Sequence, residues 1–283
     1  MSLNLVTVVG YHIKSLKHLI EHYKDIVDDI NVVVYRNDIN DTILDEVTDI
    51  IKPYGLEVFD TVVAPIFNWE VVTSLYNKTK RTKPDDWWIV SDSDELHVYH
   101  KPIREIINEC EDNGWEFVTG GFLDRIGVDG TFPEINDDSD LWETFPLAGF
   151  FRYIVSKAMP NKTCVMKGKI DVTPGQHFAL IDGQLTWRNF GWDHPLRSPT
   201  DKGFVQVHHF KWDSTVVERC KETSSIKEDY TYHWEYKQMY DYLVENNMII
   251  DVKNKDFLIE KMSDNTYLDY PHWDFLTEKI IRI

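Results

Sequence analysis

Residues 85–99 read DDWWIVSDSDELHVY. Trp87 to Val90 is a short apolar run with the form of a buried strand. It empties directly into Asp92, Asp94 and Glu95, and in open α/β sheets ligands bind outside the carboxyl ends of the strands. Carboxylates at i and i+2 across a strand-to-turn exit can converge on one hard divalent cation. Oxygen ligation of that kind favours Mg²⁺ or Mn²⁺, which keep coordination positions open for phosphate oxygens. The spacing alone carries little, because Asp138-Ser139-Asp140 repeats it in a turn-rich segment with no apolar strand before it.

Working outward, the residues upstream alternate between two periodicities. Leu3 to Val9 reads as a buried strand ending at Gly10. Leu16, Leu19, Ile20, Tyr23, Ile26, Val27 and Ile30 follow at helical spacing. Asn31 to Tyr35 is a second strand, and Asp41 or Thr42 opens a helix that Pro53 and Gly55 stop. Leu56 to Val63, then Trp69 to Thr79, then Trp87 to Val90 give strand, helix, strand. Pro102 begins a further helix that Gly114 closes. Four strand–helix units predict an α/β fold with a mostly parallel, doubly wound sheet. After Gly120 turn residues crowd in, with short strand-like runs near Thr163 to Met166 and Gly203 to Phe210. From Ser214 the pattern is helical. The expected organisation is 1–120 as a nucleotide-binding half, 121–213 as an irregular acceptor half, and 214–283 as a helical extension.

The chain has 283 residues and a formal net charge of −18, which argues against a nucleic-acid partner. No apolar run reaches the roughly 18 residues a membrane span needs. The first residues lack the basic flank of a signal peptide. Cys110, Cys164 and Cys220 are an odd, scattered set, so a disulfide framework is not expected and a reducing, cytoplasmic compartment is. Sequons at Asn40, Asn77 and Asn161 would matter only on secretion.

The order VTVVGYH (6–12), VVVYRND (32–38) and DWWIVSDSDE (86–95) resembles the nucleotide-binding half of a GT-A glycosyltransferase of the family 2-like kind. GGFLDRIGVDGTFPEI (120–135), ETFPL (143–147), NKTCVMKG (161–168), PGQHFAL (174–180) and VQVHHFKW (205–212) are similar to a bacterial and viral branch of that group. The resemblance covers about 3–213 and leaves the extension unmatched. It implies a Rossmann-like GT-A fold and transfer of a sugar from a nucleotide-diphosphate donor, UDP being the commonest, to a hydroxyl on a glycan or other acceptor. Asp92 and Asp94 would hold Mn²⁺ or Mg²⁺ and the donor diphosphate, with Glu95 as neighbour. Gly10 and Tyr11 would lie beside the nucleoside, and Asn37 or Asp38 would face base or ribose. His209 would complete the metal site. His208 is its rival, since adjacent strand residues point to opposite faces.

Two features of the family pattern are missing: a Gln-x-x-Arg-Trp motif and a Glu-Asp pair opening a helix. The base of an inverting transfer is therefore open. Asp124 is the first choice, and Asp140, Glu143 and Asp193 are weaker ones. Lys162 would steady the diphosphate. Trp142, Trp187, Trp192 and Trp212 offer faces for an acceptor sugar, and His177 could line the same cleft. Two other functions fit the same acids. One is a metal-dependent phosphoesterase or nucleotidyltransferase; the other is a non-catalytic glycan-binding protein on a transferase fold.

Overall fold

Leu3–Val9 forms β1, and all seven of its residues are buried. In the computed structural model, described for residues 1–10, 13–186, 193–262 and 266–283, β1 runs parallel to β2 (Asp29–Arg36) on one side and to β4 (Trp87–Val90) on the other. β3 (Val58–Val63) continues parallel beyond β2. Side chains alternate across a strand, so β1 feeds two cores. Leu3, Leu5 and Val9 pack on one face with Leu16 and Leu19 of α1 (Ile13–Tyr23), Val47 and Ile51 of α2 (Ile43–Ile51), and Ile103 and Ile106 of α4 (Ile103–Asn113). Val6 and Val8 pack on the other with Leu75 and Tyr76 of α3 (Trp69–Lys80). This is a Rossmann-like, doubly wound α/β arrangement with strand order β3-β2-β1-β4.

That order places the site. The chain builds outward from β1 through β2 to β3, then crosses back to lay β4 on the opposite side of β1. Strand order thus reverses between β1 and β4, and such a switch point opens a crevice at the carboxyl ends. Gly10 leaves β1 there, and the acids at 92–95 leave β4.

Beyond β4 the pairing turns largely antiparallel. β8 (Asn161–Lys167) lies antiparallel to both β4 and β6 (Phe117–Ile126), and β7 (Leu147–Gly149) is antiparallel to β6. β12 (Val205–His209) is inserted between β5 (Glu95–Val98) and β6, antiparallel to the first and parallel to the second. A small separate sheet holds β9 (Asp171–Val172), β10 (Ala179–Ile181) and β11 (Gln184–Leu185). Short helices α5 (Leu141–Thr144) and α6 (Arg152–Ser156) flank β7.

The residues after Ser214 form α7 (Val216–Ser225), α8 (His233–Glu245) and α9 (Trp273–Arg282). They do not stand apart from the sheet. β13 (Glu260–Lys261) pairs with β7, Met239 and Leu243 share a core with Ile126, Phe151 and Trp212, and Leu276 and Ile280 pack with Leu123. Gly130, at φ +78°, sits so close to this segment that a Cβ would meet the Ile250 carbonyl oxygen at 1.9 Å. Only a glycine permits both that backbone conformation and that approach. No described helix is long and apolar enough to cross a membrane.

Candidate functional site

Strand pairing assembles the site from distant segments. After β4 the backbone turns with Glu95 N–H donating to the Asp92 carbonyl at 3.0 Å, and Ser91 Oγ donates to the Glu95 carbonyl at 2.7 Å. The insertion of β12 then sets His209 opposite Glu95 on one side and opposite Asp124 on the other. The Phe210 N–H holds the turn from above, donating to the Asp94 carbonyl at 2.8 Å. Asp94, Glu95 and His209 consequently offer two carboxylates and an imidazole whose ligand atoms all lie within 4.8 Å of one another. All three residues are buried.

The expected metal set was Asp92, Asp94 and His209. The tightest convergence is Asp94, Glu95 and His209, with Asp92 on the rim of the same cavity. Asp92 Oδ1 accepts the Tyr76 hydroxyl at 2.5 Å and the Gln176 amide at 3.4 Å. Between His208 and His209 the pleat decides. His209 faces the acids, while His208 turns to the other side, with its Nε2 3.2 Å from Gln206 Oε1 and its ring against Trp142.

His209 is oriented from behind. Its Nδ1 lies 3.2 Å from Asp124 Oδ1 and its Nε2 3.6 Å from Asp94 Oδ2. Burial opposes charge on this ring, yet the two aspartates outweigh it and raise the pKa. A proton on Nδ1 donated to Asp124 leaves Nε2 as the lone pair facing Asp94, the tautomer a metal ligand needs. Asp124 has little to spare for anything else. Its oxygens also accept Trp212 Nε1–H at 3.0 Å and the Arg152 backbone N–H at 3.1 Å, and it does not line the cavity. Asp124, the expected base, therefore lies behind the histidine and not on the cavity wall.

Lys162, on β8, is wholly buried, with its ammonium 2.9 Å from Glu95 Oε1 and 3.6 Å from Asp92 Oδ2. It also donates to the side-chain carbonyl of Gln176. Burial disfavours its charge, but Glu95 and Asp92 overcome this and its pKa rises. Burial pushes Glu95 up to about 7 against the pull of Lys162. Glu95 Oε2 is buried with no hydrogen-bond partner. Gln176 reaches Lys162 and Asp92 from a backbone held at φ +52°, next to Gly175 at +65°. Non-glycine residues in that region carry strain of order 1–3 kcal/mol.

These groups floor a cavity of about 210 Å³. Gly10 and the rings of Tyr35, Phe67 and Trp69 line it at the switch point, and Arg219, Tyr232, Glu235 and Tyr236 of the C-terminal segment complete the lining. A Cβ on Gly10 would meet the Tyr35 carbonyl oxygen at 2.8 Å, so glycine permits that close approach. The Trp69 and Tyr232 rings stack at 5.8 Å and join the two groups. His177 also lines the cavity. Its Nδ1 is 2.8 Å from the Asn161 carbonyl, and burial lowers its pKa to about 3, so the ring is neutral.

Several expected residues lie elsewhere. Asn37 and Asp38 do not line the cavity, and Asp38 instead accepts the Asn40 N–H at 2.8 Å in an exposed turn. Asp140 caps α5, accepting the Trp142 N–H at 2.8 Å; Glu143 and Asp193 are exposed, and none of the three reaches the cavity. Trp212 is completely buried and so belongs to the interior, while the half-buried Trp142 packs on His208 and Phe210, and neither lines the cavity. Tyr11, Trp187 and Trp192 lie outside the described residues. Sequence reasoning missed Arg152, Tyr232 and Glu235, which carry no local motif.

No family model matches this chain, and no curated protein matches it. Among solved structures it is similar to mannose-6-phosphate isomerase from Helicobacter pylori, at 12% identity over 60% of this chain and 72% of that one, with a TM-score of 0.33. It is also similar to a putative glucose-1-phosphate thymidylyltransferase from Bacillus anthracis, in complex with a sucrose. That match is at 14% identity over 47% of this chain and 59% of the other, with a TM-score of 0.28. Likeness at this level assigns no family and no function, and the reading below rests on the site itself.

Proposed function

We propose that the protein is a metal-dependent glycosyltransferase that moves a sugar from a nucleotide-diphosphate donor, a UDP-sugar first among them, to a hydroxyl acceptor with inversion. One observation carries this reading: the buried Asp94, Glu95 and His209 cluster opens into an aromatic-walled cavity at the β1–β4 switch point. Two carboxylates, one imidazole and an unpartnered buried carboxylate oxygen suit a hard divalent cation, Mg²⁺ or Mn²⁺. When bound, such a cation neutralises charge building on a leaving diphosphate.

The chain's own residues supply the rest. Gly10, Tyr35 and Phe67 form a slot of the shape and apolarity a nucleoside needs. Asp124 fixes the His209 tautomer, and Tyr76 and Gln176 hold Asp92 at the rim. Lys162 lines the cavity beside Asp92 and Glu95, where it offsets the carboxylates of the floor and stands within reach of a bound diphosphate. The stacked Trp69 and Tyr232 line the cavity and help to exclude water from it.

Product analysis tests the reading. With Mn²⁺ and a panel of UDP-, GDP- and TDP-sugars, the expected product is free nucleoside diphosphate. Release of inorganic phosphate or pyrophosphate would make the protein a phosphoesterase or nucleotidyltransferase. Glycan binding indifferent to EDTA, with no turnover, would make it a binding protein.

A further inference from the structure

Among the described residues the cavity is lined by four carboxylates: Asp92, Asp94, Glu95 and Glu235. Three are committed. Asp94 and Glu95 belong to the cluster with His209, Glu95 also pairs with Lys162, and Asp92 accepts from Tyr76 and Gln176. Glu235 is different in origin and surroundings. It comes from the first turn of α8, in the C-terminal segment, and lines the same cavity as the three acids that follow β4. Its side chain is 16% exposed, and its Oε2 lies 3.5 Å from Arg152 Nη2. A carboxylate in the first helical turn also gains from the macrodipole.

Arg152 links this carboxylate to the metal pole. Its backbone N–H donates to Asp124 at 3.1 Å, and its guanidinium lies 5.2 Å from the centre of the Phe122 ring. On that same ring His209 stacks at 4.7 Å and Lys162 sits at 5.2 Å. One framework therefore positions both His209 and Glu235. The tail is fixed over the cavity by the Trp69–Tyr232 stack, with Tyr232 at φ +56° immediately before α8.

We infer that Glu235 is the catalytic base of the transfer, with Arg152 as its positioning residue; this rests on the glycosyl-transfer reading of the site. The acceptor hydroxyl gives its proton to a Glu235 oxygen while its oxygen bonds to the anomeric carbon. The bond from that carbon to the diphosphate oxygen breaks, and its electron pair leaves with the nucleoside diphosphate. Protons and charge balance without a further reactant. The C-terminal segment then completes the active site rather than merely supporting the fold.

The test uses the full chain, Mn²⁺ and whichever nucleotide-sugar of the panel the parent protein cleaves with water as acceptor. General-base catalysis contributes about 10²–10⁴-fold, so Glu235→Gln is expected to lower kcat by at least about 10²-fold. Its thermal shift with the same donor and Mn²⁺ should remain that of the parent. Added azide, an anion that needs no base, should restore release of nucleoside diphosphate and yield glycosyl azide. Activity of the variant within about threefold of the parent would overturn the assignment. So would a loss of donor binding together with turnover, unrelieved by azide, since that describes a structural residue. If the parent itself binds no nucleotide-sugar, the reading of the site fails and the role of Glu235 fails with it.

Discussion

Replacing Asp94 by asparagine is expected to lower metal-dependent turnover by about 10³-fold or more while the protein remains folded. Asparagine keeps the size and the side-chain oxygen of Asp94 but removes the negative charge that makes the oxygen pair of Asp94 and Glu95 attractive to a divalent cation. Lewis-acid stabilisation of a leaving group amounts to several kcal/mol, and about 4 kcal/mol corresponds to 10³ in rate. The fold should be retained, because the backbone carbonyl of Asp94 still accepts the Phe210 N–H that ties down the turn, while loss of the charge removes part of the attraction between Asp94 and His209. Circular dichroism and a melting curve check the fold, and turnover against Mn²⁺ concentration checks the site. Undiminished turnover at saturating donor would remove Asp94 from the mechanism.

Lys162→Met is the substitution expected to cost most stability. It leaves Glu95 buried without its cation, and breaking one partner of a buried pair typically costs about 3–5 kcal/mol. The pH dependence follows from Glu95. A carboxyl whose folded pKa lies near 7, above its ordinary 4.5, holds its proton more readily in the native state. Its stabilising contribution is complete at low pH and is lost as pH rises through that window. Without Lys162 the loss is steeper. The deficit of the variant relative to the parent should thus be small near pH 5 and largest near pH 8. Urea unfolding at the two pH values measures it, and a deficit independent of pH would mean that the pair contributes through packing alone.

The parallel half of the fold was legible because its rules are local. Leu3 to Val9, Asn31 to Tyr35 and Trp87 to Val90 are apolar runs between helical stretches, and each became a strand. The acids at 92–95 were legible for the same reason, being the first charged residues after a buried strand. The choice within them was not. Whether Asp92 or Glu95 joins Asp94 depends on Lys162, Tyr76 and Gln176, which reach the site from β8, α3 and the β9–β10 connection. Likewise the pleat shows that His208 and His209 point apart, but only the insertion of β12 between β5 and β6 says which faces the acids.

Asp124 illustrates the opposite case. An aspartate near glycines at a strand end suggests an exposed carboxylate. Here β6 is buried along its whole length, and Trp212, His209 and the Arg152 N–H surround the carboxylate. None of those partners is near it in sequence. Glu235 was hidden differently, as one acid among many charges on a tail whose helical pattern suggests only a solvated face. Its place in the cavity lining depends on how the tail packs back on the sheet, through β13 and the close approach at Gly130.

Thermal unfolding shows whether the switch-point cavity holds a nucleotide diphosphate through a metal on Asp94, Glu95 and His209. The protein is melted with UDP-, GDP- and TDP-sugars, each with Mn²⁺ and each with EDTA. A ligand at 100 times its Kd adds about 2.7 kcal/mol to the native state, and at this chain length each kcal/mol raises Tm by about 2–4 °C. The expected result is a rise of several degrees for one nucleotide class, abolished by EDTA and absent in Asp94→Asn. A folded protein whose Tm moves with no donor, or moves equally with and without the metal, would contradict it.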